Sequence, residues 1–147
     1  MVKLEKITKD NLEQVLALDI LEEQRNYVSS TAHSLAQAWV YKDTAFPFAV
    51  YSDGSLVGFV MLGYYEQKKQ YTLWKLLIDK QYQNKGYGRA ALKLAIEYLK
   101  DRFHVTEVFT GVAFGNDVAK HLYQSVGFVE TGDVDDFQLE MKLCIDG

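Results

Sequence analysis

The chain has 147 residues, 48% hydrophobic and 24% charged, with a net charge of −4 at pH 7. This length and composition are typical of one globular domain, expected to occupy residues 1–147, and the acidic balance argues against nucleic-acid binding. The single cysteine, Cys144, excludes an internal disulfide and a cysteine-cluster metal site, and no metal is expected. No apolar run is long enough to span a bilayer and no signal peptide is recognisable, so a cytoplasmic location without membrane association is expected.

The first half of the chain alternates between strand and helix patterns. Thr8 or Asp10 is predicted to cap the first helix, because both side chains can accept a hydrogen bond from a helix N-terminus. The pair Asp53-Gly54 between two apolar runs indicates a tight hairpin turn. The elements predicted here are a strand at 2–7, helices from the cap to about residue 22 and at 34–42, and strands at 46–51, 56–65 and 70–78.

Two clear helices and three strands are predicted in the second half. Ala91, Leu92, Ala95 and Leu99 recur at helical spacing. The predicted elements are a helix at 88–100, a second helix that Asn116 or Asp117 caps and Gly127 ends, and strands at 105–112, 128–131 and 137–143. The order of elements predicts a mixed sheet of the α/β (α+β) class with helices on its faces, rather than a doubly wound parallel sheet.

Charge is distributed unevenly along the chain. Acidic residues dominate residues 10–30, basic residues dominate 66–102, and the segment 130–140 contains five acids and no base. A basic middle suits an anionic cofactor, and acidic flanks suit a cationic substrate. Solvated charged faces would produce the same pattern, so charge alone does not choose between the two interpretations.

A glycine-containing run from Gln83 to Ala90 follows an apolar stretch and opens a predicted helix. Gly86 and Gly88 let the backbone approach a phosphate closely, and the helix start adds positive partial charge. A helix start with two loop glycines is the alternative interpretation. A Walker phosphate loop is excluded because its Gly-Lys-Ser/Thr is missing, and a dinucleotide fingerprint lacks its third glycine, since position 91 is Ala91. The run therefore predicts a binding site for a phosphate-bearing cofactor.

A second motif, about thirty residues later, supplies the context for the first. The two motifs resemble those of the GNAT superfamily of N-acetyltransferases: Gln83-x-x-Gly86-x-Gly88, followed by Asn116-x-x-Ala119-x-x-Leu122-Tyr123-x-x-x-Gly127-Phe128. The resemblance covers nearly the whole chain, since the predicted strand order also matches. It implies the GNAT acyltransferase fold, in which a central, mostly antiparallel twisted sheet splays between its fourth and fifth strands and carries helices on both faces.

The resemblance implies that acetyl-CoA (coenzyme A) is the co-substrate. Backbone N–H groups at residues 85–89 would hold its pyrophosphate, and the strand ending at residues 76–78 would pair with its pantetheine arm and leave an N–H for the thioester oxygen. Tyr123 would be the general acid that protonates the departing thiolate, with a buried aromatic on the helix stripe as the alternative. The implied cofactor-binding residues are Leu76, Leu77, Ile78, Gln83, Asn84, Lys85, Gly86, Tyr87, Gly88, Arg89, Asn116 and Tyr123.

A narrower resemblance concerns the acetyl acceptor. Residues 23–31, with Leu35 and Ala38 after them, are similar to bacterial spermine/spermidine acetyltransferases, which implies a polyamine such as spermidine or spermine. Acidic residues at positions 74 and 75, which would strengthen polyamine recognition, are absent. The candidate substrate-binding residues are Glu22, Glu23, Tyr27 and Trp74.

The expected reaction is direct attack of a primary amine on acetyl-CoA in a ternary complex. An amine arrives protonated, and Glu22, Glu23 and Asp79 are the candidates for the base that removes its proton, directly or through water. An acetyltransferase for protein or peptide amines is the alternative enzyme, and a non-catalytic CoA-binding sensor is the alternative of a different class. The sequence does not give the oligomeric state, and the resemblance allows a homodimer.

Overall fold

Seven strands form one mixed sheet in the computed structural model, which describes residues 1–25, 27 and 29–145. The strands are β1 Val2–Lys6, β2 Ala45–Ser52, β3 Ser55–Tyr65, β4 Gln70–Ile78, β5 Glu107–Ala113, β6 Val129–Asp135 and β7 Gln138–Cys144. The α-helices are α1 Leu12–Leu16, α2 Thr31–Val40, α3 Tyr87–Phe103 and α4 Asp117–Val126, and two short 3-10 turns lie at Glu22–Gln24 and Lys80–Tyr82. In the described ranges, no helix has the length and apolarity that a bilayer crossing requires.

The sheet has the spatial order β1-β2-β3-β4-β5-β7-β6. Neighbouring strands are antiparallel except β4 and β5, which are parallel and pair at only two positions, Thr72 with Phe109 and Leu73 with Thr110. β4 continues to Ile78, paired with β3 as far as Gly58 but separated from β5. The predicted fold class, including the splay between the fourth and fifth strands, is therefore confirmed.

A β-bulge in β4 marks the point where the two central strands part. Met61 of β3 pairs with Lys75 and Leu62 pairs with Leu73, so Trp74 is the extra residue on β4. A bulge bends its strand and increases the local twist. The divergence from β5 starts at Trp74 for this reason, directly after the last parallel pair.

Each face of the sheet is covered by helices. On one face, α3 and α4 pack on the larger core, and α3 buries the predicted stripe of Ala91, Leu92, Ala95 and Leu99. On the other face, α1 and α2 cover a smaller cluster built around Val15 and Phe59. Because both faces are covered, β3 is buried almost throughout its length and reads in the sequence as a continuous apolar run.

The first helix is much shorter than predicted, ending at Leu16 instead of near residue 22. Its N-cap residue is Asn11, so the prediction of Thr8 or Asp10 was wrong. The helix stops because side chains take the next backbone donors: the Asp79 carboxylate accepts the Asp19 N–H at 3.0 Å, and the Asp19 carboxylate accepts the N–H of residue 20 at 2.9 Å. One of these two acceptors is sixty residues away, and a local pattern cannot reveal it.

Several predicted boundaries agree with the structure and others shift by a few residues. Asp53 and Gly54 have positive φ angles of 50° and 87° in the β2–β3 turn, which confirms the hairpin. Asn116 caps α4, and Gly127 ends it with a φ of 117°. The second helix begins three residues earlier than predicted because Ser30 caps it, its hydroxyl accepting the N–H of residue 33 at 3.1 Å.

Candidate active site

A cavity of about 390 Å³ opens where β4 and β5 separate. Its walls come from β4, β5, the start of α3, the inner face of α4 and the segment before α2. Most of the residues predicted for the site line this cavity: Leu76, Leu77, Ile78, Gln83, Asn84, Gly86, Tyr87, Gly88, Arg89, Asn116, Tyr123, Tyr27 and Trp74. The sequence motifs, which lie far apart along the chain, therefore meet at one place.

The N-terminus of α3 forms one wall of the cavity. Asn84 and Gly86 have positive φ angles of 64° and 83°, so the chain turns sharply before the helix. The first backbone bond of the helix runs from the Ala90 N–H to the Gly86 carbonyl at 3.1 Å, which leaves the N–H groups of residues 87–89 ahead of the helical ladder. A 17-residue helix that presents free N–H groups to a cavity is an anion-binding arrangement.

Gln83 connects the turn to two other parts of the site. Its amide nitrogen donates to the Ile78 carbonyl at 2.9 Å and to the Gln24 side chain at 2.9 Å, and the Gln24 amide donates back at 3.1 Å. Arg89, on the other side, donates to the Ser125 carbonyl near the end of α4 at 3.3 Å. These hydrogen bonds hold the turn before α3 in place against β4, α4 and the segment before α2.

Tyr123 lies on α4 with its ring buried and only 8% of the residue exposed. The ring contacts Phe128, with 5.8 Å between the ring centroids. Burial raises the pKa of the Tyr123 phenol, and an interaction with the Thr110 side chain acts in the opposite direction. Tyr123 therefore carries its proton at neutral pH, as a general acid must.

Thr110 marks the apex of the splay. Its hydroxyl donates to the Leu73 carbonyl at 3.2 Å, across the last parallel pair of β4 and β5. Beyond this point, the edge of β4 that faces β5 has no strand beside it in the described part of the chain. Its backbone groups are thus available to an extended molecule that enters the cavity.

Lys75 is an unexpected buried cation in the cavity wall. The residue is 8% exposed, and its ammonium donates to the carbonyl and the hydroxyl of Ser29. Burial lowers the pKa of Lys75 from 10.5 to about 8. The sequence shows that position 75 is not acidic, but it carries no signal that this lysine is buried or that Ser29 holds it.

The predicted acidic residues do not line the cavity. Glu22 is exposed and pairs with Arg25 at 2.8 Å, and Glu23 is also exposed. Asp79 caps the turn that follows β4, its carboxylate accepting the N–H of residue 81 at 2.9 Å. Lys85 likewise lies outside the cavity lining. The candidates for a base are therefore placed near the site without entering it.

Two residues of the segment 23–31, Asn26 and Val28, lie outside the described residues. Tyr27, between them, lines the cavity and is 38% exposed. Trp74 lines it as well, and its indole packs against Tyr65 with 5.4 Å between ring centroids.

In the described part of the chain, no three His, Cys, Asp or Glu side chains are grouped as metal ligands.

Comparison with known proteins assigns this architecture to a family. The family described as acetyltransferase (GNAT) matches residues 12–128. The chain belongs to the acetyltransferase (GNAT) family. It is 33% identical over 143 residues to the probable spermine N(1)-acetyltransferase of Bacillus subtilis subsp. natto and 32% identical over 143 residues to the spermine/spermidine N(1)-acetyltransferase of Bacillus subtilis, with 91% of each chain covered.

The fold of this GNAT protein also matches that of a solved structure. The crystal structure of spermidine N-acetyltransferase from Vibrio cholerae in complex with CoA and spermine superposes with a TM-score of 0.77 over 97% of this chain and 95% of that chain. The sequence identity is 20%, so this likeness supports the fold. The resemblance seen in the two sequence motifs is confirmed by the family match.

Proposed function

We propose that the protein transfers the acetyl group of acetyl-CoA to a primary amine of a polyamine, spermidine or spermine, by direct attack in a ternary complex. The observation that carries this proposal is the cavity between β4 and β5, which joins an open helix N-terminus, an unpaired strand edge and a buried phenol. Each of the three features serves a different part of one acyl-transfer reaction.

Binding of acetyl-CoA is assigned to the α3 turn and β4. The free N–H groups at residues 87–89, with those of Lys85 and Gly86, suit a pyrophosphate. The unpaired edge of β4 at residues 76–78 suits the amide-containing pantetheine arm, because an extended amide chain can add to a strand edge. Asn116 lies at the far side of the cavity, where its side chain accepts the Ala119 N–H at 3.4 Å.

Acetyl-CoA, when bound, supplies an activated acetyl group as a thioester. A backbone N–H on the unpaired edge of β4 would donate to the oxygen that becomes negative during attack, an effect worth about 2.7–4 kcal/mol in other acyl-transfer enzymes. Tyr123, protonated and buried in the same cavity, would give its proton to the thiolate that leaves. The protein thus provides an anion-binding site, a hydrogen-bond donor for the oxyanion and a general acid. The proposed reaction has no covalent enzyme intermediate.

The polyamine acceptor is supported by two kinds of observation. The two Bacillus subtilis relatives, which match this chain over 91% of its length, are named for spermine or spermidine. Tyr27 and Trp74 bring aromatic surface to the cavity, and aromatic faces attract alkylammonium groups. Glu22 and Glu23 stay candidates for binding the acceptor from outside the cavity, and for the base together with Asp79.

An amine panel tests the proposal. Release of free CoA would be measured with spermidine, spermine, aminoglycosides and lysine peptides as acceptors, for the wild-type protein, Tyr123→Phe and the control Tyr98→Phe, whose ring packs against Phe46 and Phe48 away from the cavity. Spermidine and spermine should be the best acceptors. Turnover with peptides alone would favour the protein or peptide acetyltransferase, and acetyl-CoA binding without any turnover would favour the CoA-binding sensor.

We also propose that the chain acts as a single domain over residues 1–147, assembles as a homodimer and is located in the cytoplasm. The single sheet that runs from β1 to β7 supports one folding unit. Light scattering coupled to gel filtration measures the assembly, limited proteolysis tests the domain boundaries, and cell fractionation tests the location.

A further inference from the structure

A second, smaller cavity of about 110 Å³ adjoins the first. The two cavities share Trp74, Thr110, Gly111 and Gln138 in their walls, so they meet at the apex of the splay. The lining of the small cavity differs from that of the large one because it includes carboxylates, and a further tyrosine ring also lines it. These side chains are Asp135 at the end of β6, Glu140 on β7 and Tyr65 at the end of β3.

An ammonium group of the protein lies in the wall of this small cavity. Lys68, in the loop between β3 and β4, places its Nζ atom 3.1 Å from an Asp135 carboxylate oxygen and 6.0 Å from the centroid of the Tyr65 ring. Asp135, and more weakly Glu140, raise the pKa of Lys68. A carboxylate in contact and an aromatic face nearby are the groups that recognise an alkylammonium ion. The cavity therefore has the chemistry of an alkylammonium site.

Lys68 is suited to leave this position. Its side chain is 46% exposed and that of Asp135 is 67% exposed, so the pair is held by a solvent-screened contact that contributes little to stability. Lys68 also belongs to a four-residue loop, and its side chain can swing into solvent without a change in either strand.

The charges of the two cavities favour one orientation of a polycation. Lys75 places a buried ammonium in the wall of the large cavity, beside Ser29, and its charge opposes the attraction of an alkylammonium group to Tyr27 and Trp74. Asp135 and Glu140 place negative charge at the small cavity. A molecule that carries two ammonium groups is thus drawn with one of them toward the carboxylates.

We propose that the small cavity binds the second ammonium group of the acceptor, which displaces the Lys68 ammonium from Asp135, while the reacting amine lies in the large cavity. The inference rests on the proposed acetyl transfer to a polyamine and assigns that function a specificity site. On this assignment, residues of β6 and β7 select diamines and polyamines over monoamines, in addition to any contact that the acidic segment before α2 makes with the acceptor.

Steady-state kinetics with two acceptors tests this assignment. Asp135→Asn and Glu140→Gln should each raise the KM for spermidine about fivefold or more, with kcat and the KM for acetyl-CoA unchanged. The KM for a monoamine such as propylamine should not change, because a monoamine has no second ammonium group. Lys68→Gln should lower the KM for spermidine, since it removes the competing ammonium.

The matched controls are Asp136→Asn and Lys69→Gln, neighbours in the chain that do not line the small cavity. A spermidine KM that is the same in Asp135→Asn, Glu140→Gln and the wild-type protein would overturn the inference and leave the proposed function intact. If the wild-type protein acetylates no amine, the proposed function fails, and calorimetry with spermidine on the CoA-saturated protein decides the site separately. Spermidine binding that is weakened by Asp135→Asn would support the small cavity, and no binding to the wild-type protein would overturn it.

Discussion

Replacement of the buried lysine in the cavity wall should make the protein more stable at neutral pH. Lys75 is 8% exposed, and its ammonium has only the carbonyl and hydroxyl of Ser29 to replace its hydration among its described contacts. Lys75→Met keeps a long, unbranched side chain of similar reach and removes the charge. The substitution therefore isolates the free-energy penalty of placing an ammonium group at this position.

The size of the penalty follows from the pKa of Lys75. Its value of about 8, compared with 10.5 in the unfolded chain, means that folding disfavours the charged form by about 3 kcal/mol, at about 1.36 kcal/mol for each pKa unit. Because the folded pKa is lowered, the penalty is fully present below pH 8 and is relieved as the pH rises toward 10.5. Lys75→Met should exceed the wild-type protein in stability by up to about 3 kcal/mol at pH 7, and the difference should shrink by about 2–3 kcal/mol between pH 7 and pH 10.

Urea unfolding followed by far-UV circular dichroism at pH 7 and pH 10 measures this difference. The other lysines and the tyrosines are the same in both proteins, so their contribution to the free energy of unfolding cancels when the two proteins are compared at each pH. Lys93→Met, an exposed position on α3, is the matched control and should show no pH-dependent difference. A difference in stability between Lys75→Met and wild type that is absent at pH 7, or that does not change with pH, would show that burial does not penalise the Lys75 ammonium.

Three further predictions concern the cavity. Gly86→Glu should abolish acetyl-CoA binding in calorimetry, because it places a carboxylate at the anion-binding site and a side chain at a φ of 83°. Unchanged affinity would show that the N-terminus of α3 does not bind the cofactor. Tyr123→Phe should lower kcat about 100-fold with little change in acetyl-CoA affinity, and wild-type kcat would exclude the acid role. Gly63→Ala should lower stability by about 1–3 kcal/mol and raise the acceptor KM, since its methyl group would overlap the Trp74 indole; stability and KM equal to wild type would show that the indole yields freely.

Most of the fold could be predicted because its signals are local. The apolar stripe of α3, the Asp53-Gly54 turn and the Asn116 cap each depend on neighbouring residues, and β4 was predicted with its observed bounds, Gln70–Ile78. The end of the first helix was mispredicted because the Asp79 carboxylate, far along the chain, takes the backbone donor of Asp19. A local sequence pattern does not show that a distant carboxylate will accept this backbone hydrogen bond.

The candidate site likewise has a part that the sequence predicts and a part that depends on contacts between distant residues. The glycine turn and Tyr123 belong to contiguous motifs, and the structure brings both to one cavity. The burial of Lys75 depends on Ser29, 46 residues earlier, and the second cavity is assembled from the ends of β3, β6 and β7. Charges that matter through tertiary contacts of this kind cannot be separated, in a sequence, from charges on a solvated surface.

Acetyl transfer from acetyl-CoA to a polyamine can be tested by identifying both products of a single reaction. Purified protein would be incubated with acetyl-CoA and spermidine, and free CoA and acetylated spermidine would be quantified together by mass spectrometry. We expect saturable formation of the two products in equal amounts, with a rate that falls in Tyr123→Phe. CoA release without acetylated spermidine, or no product at any spermidine concentration, would contradict it.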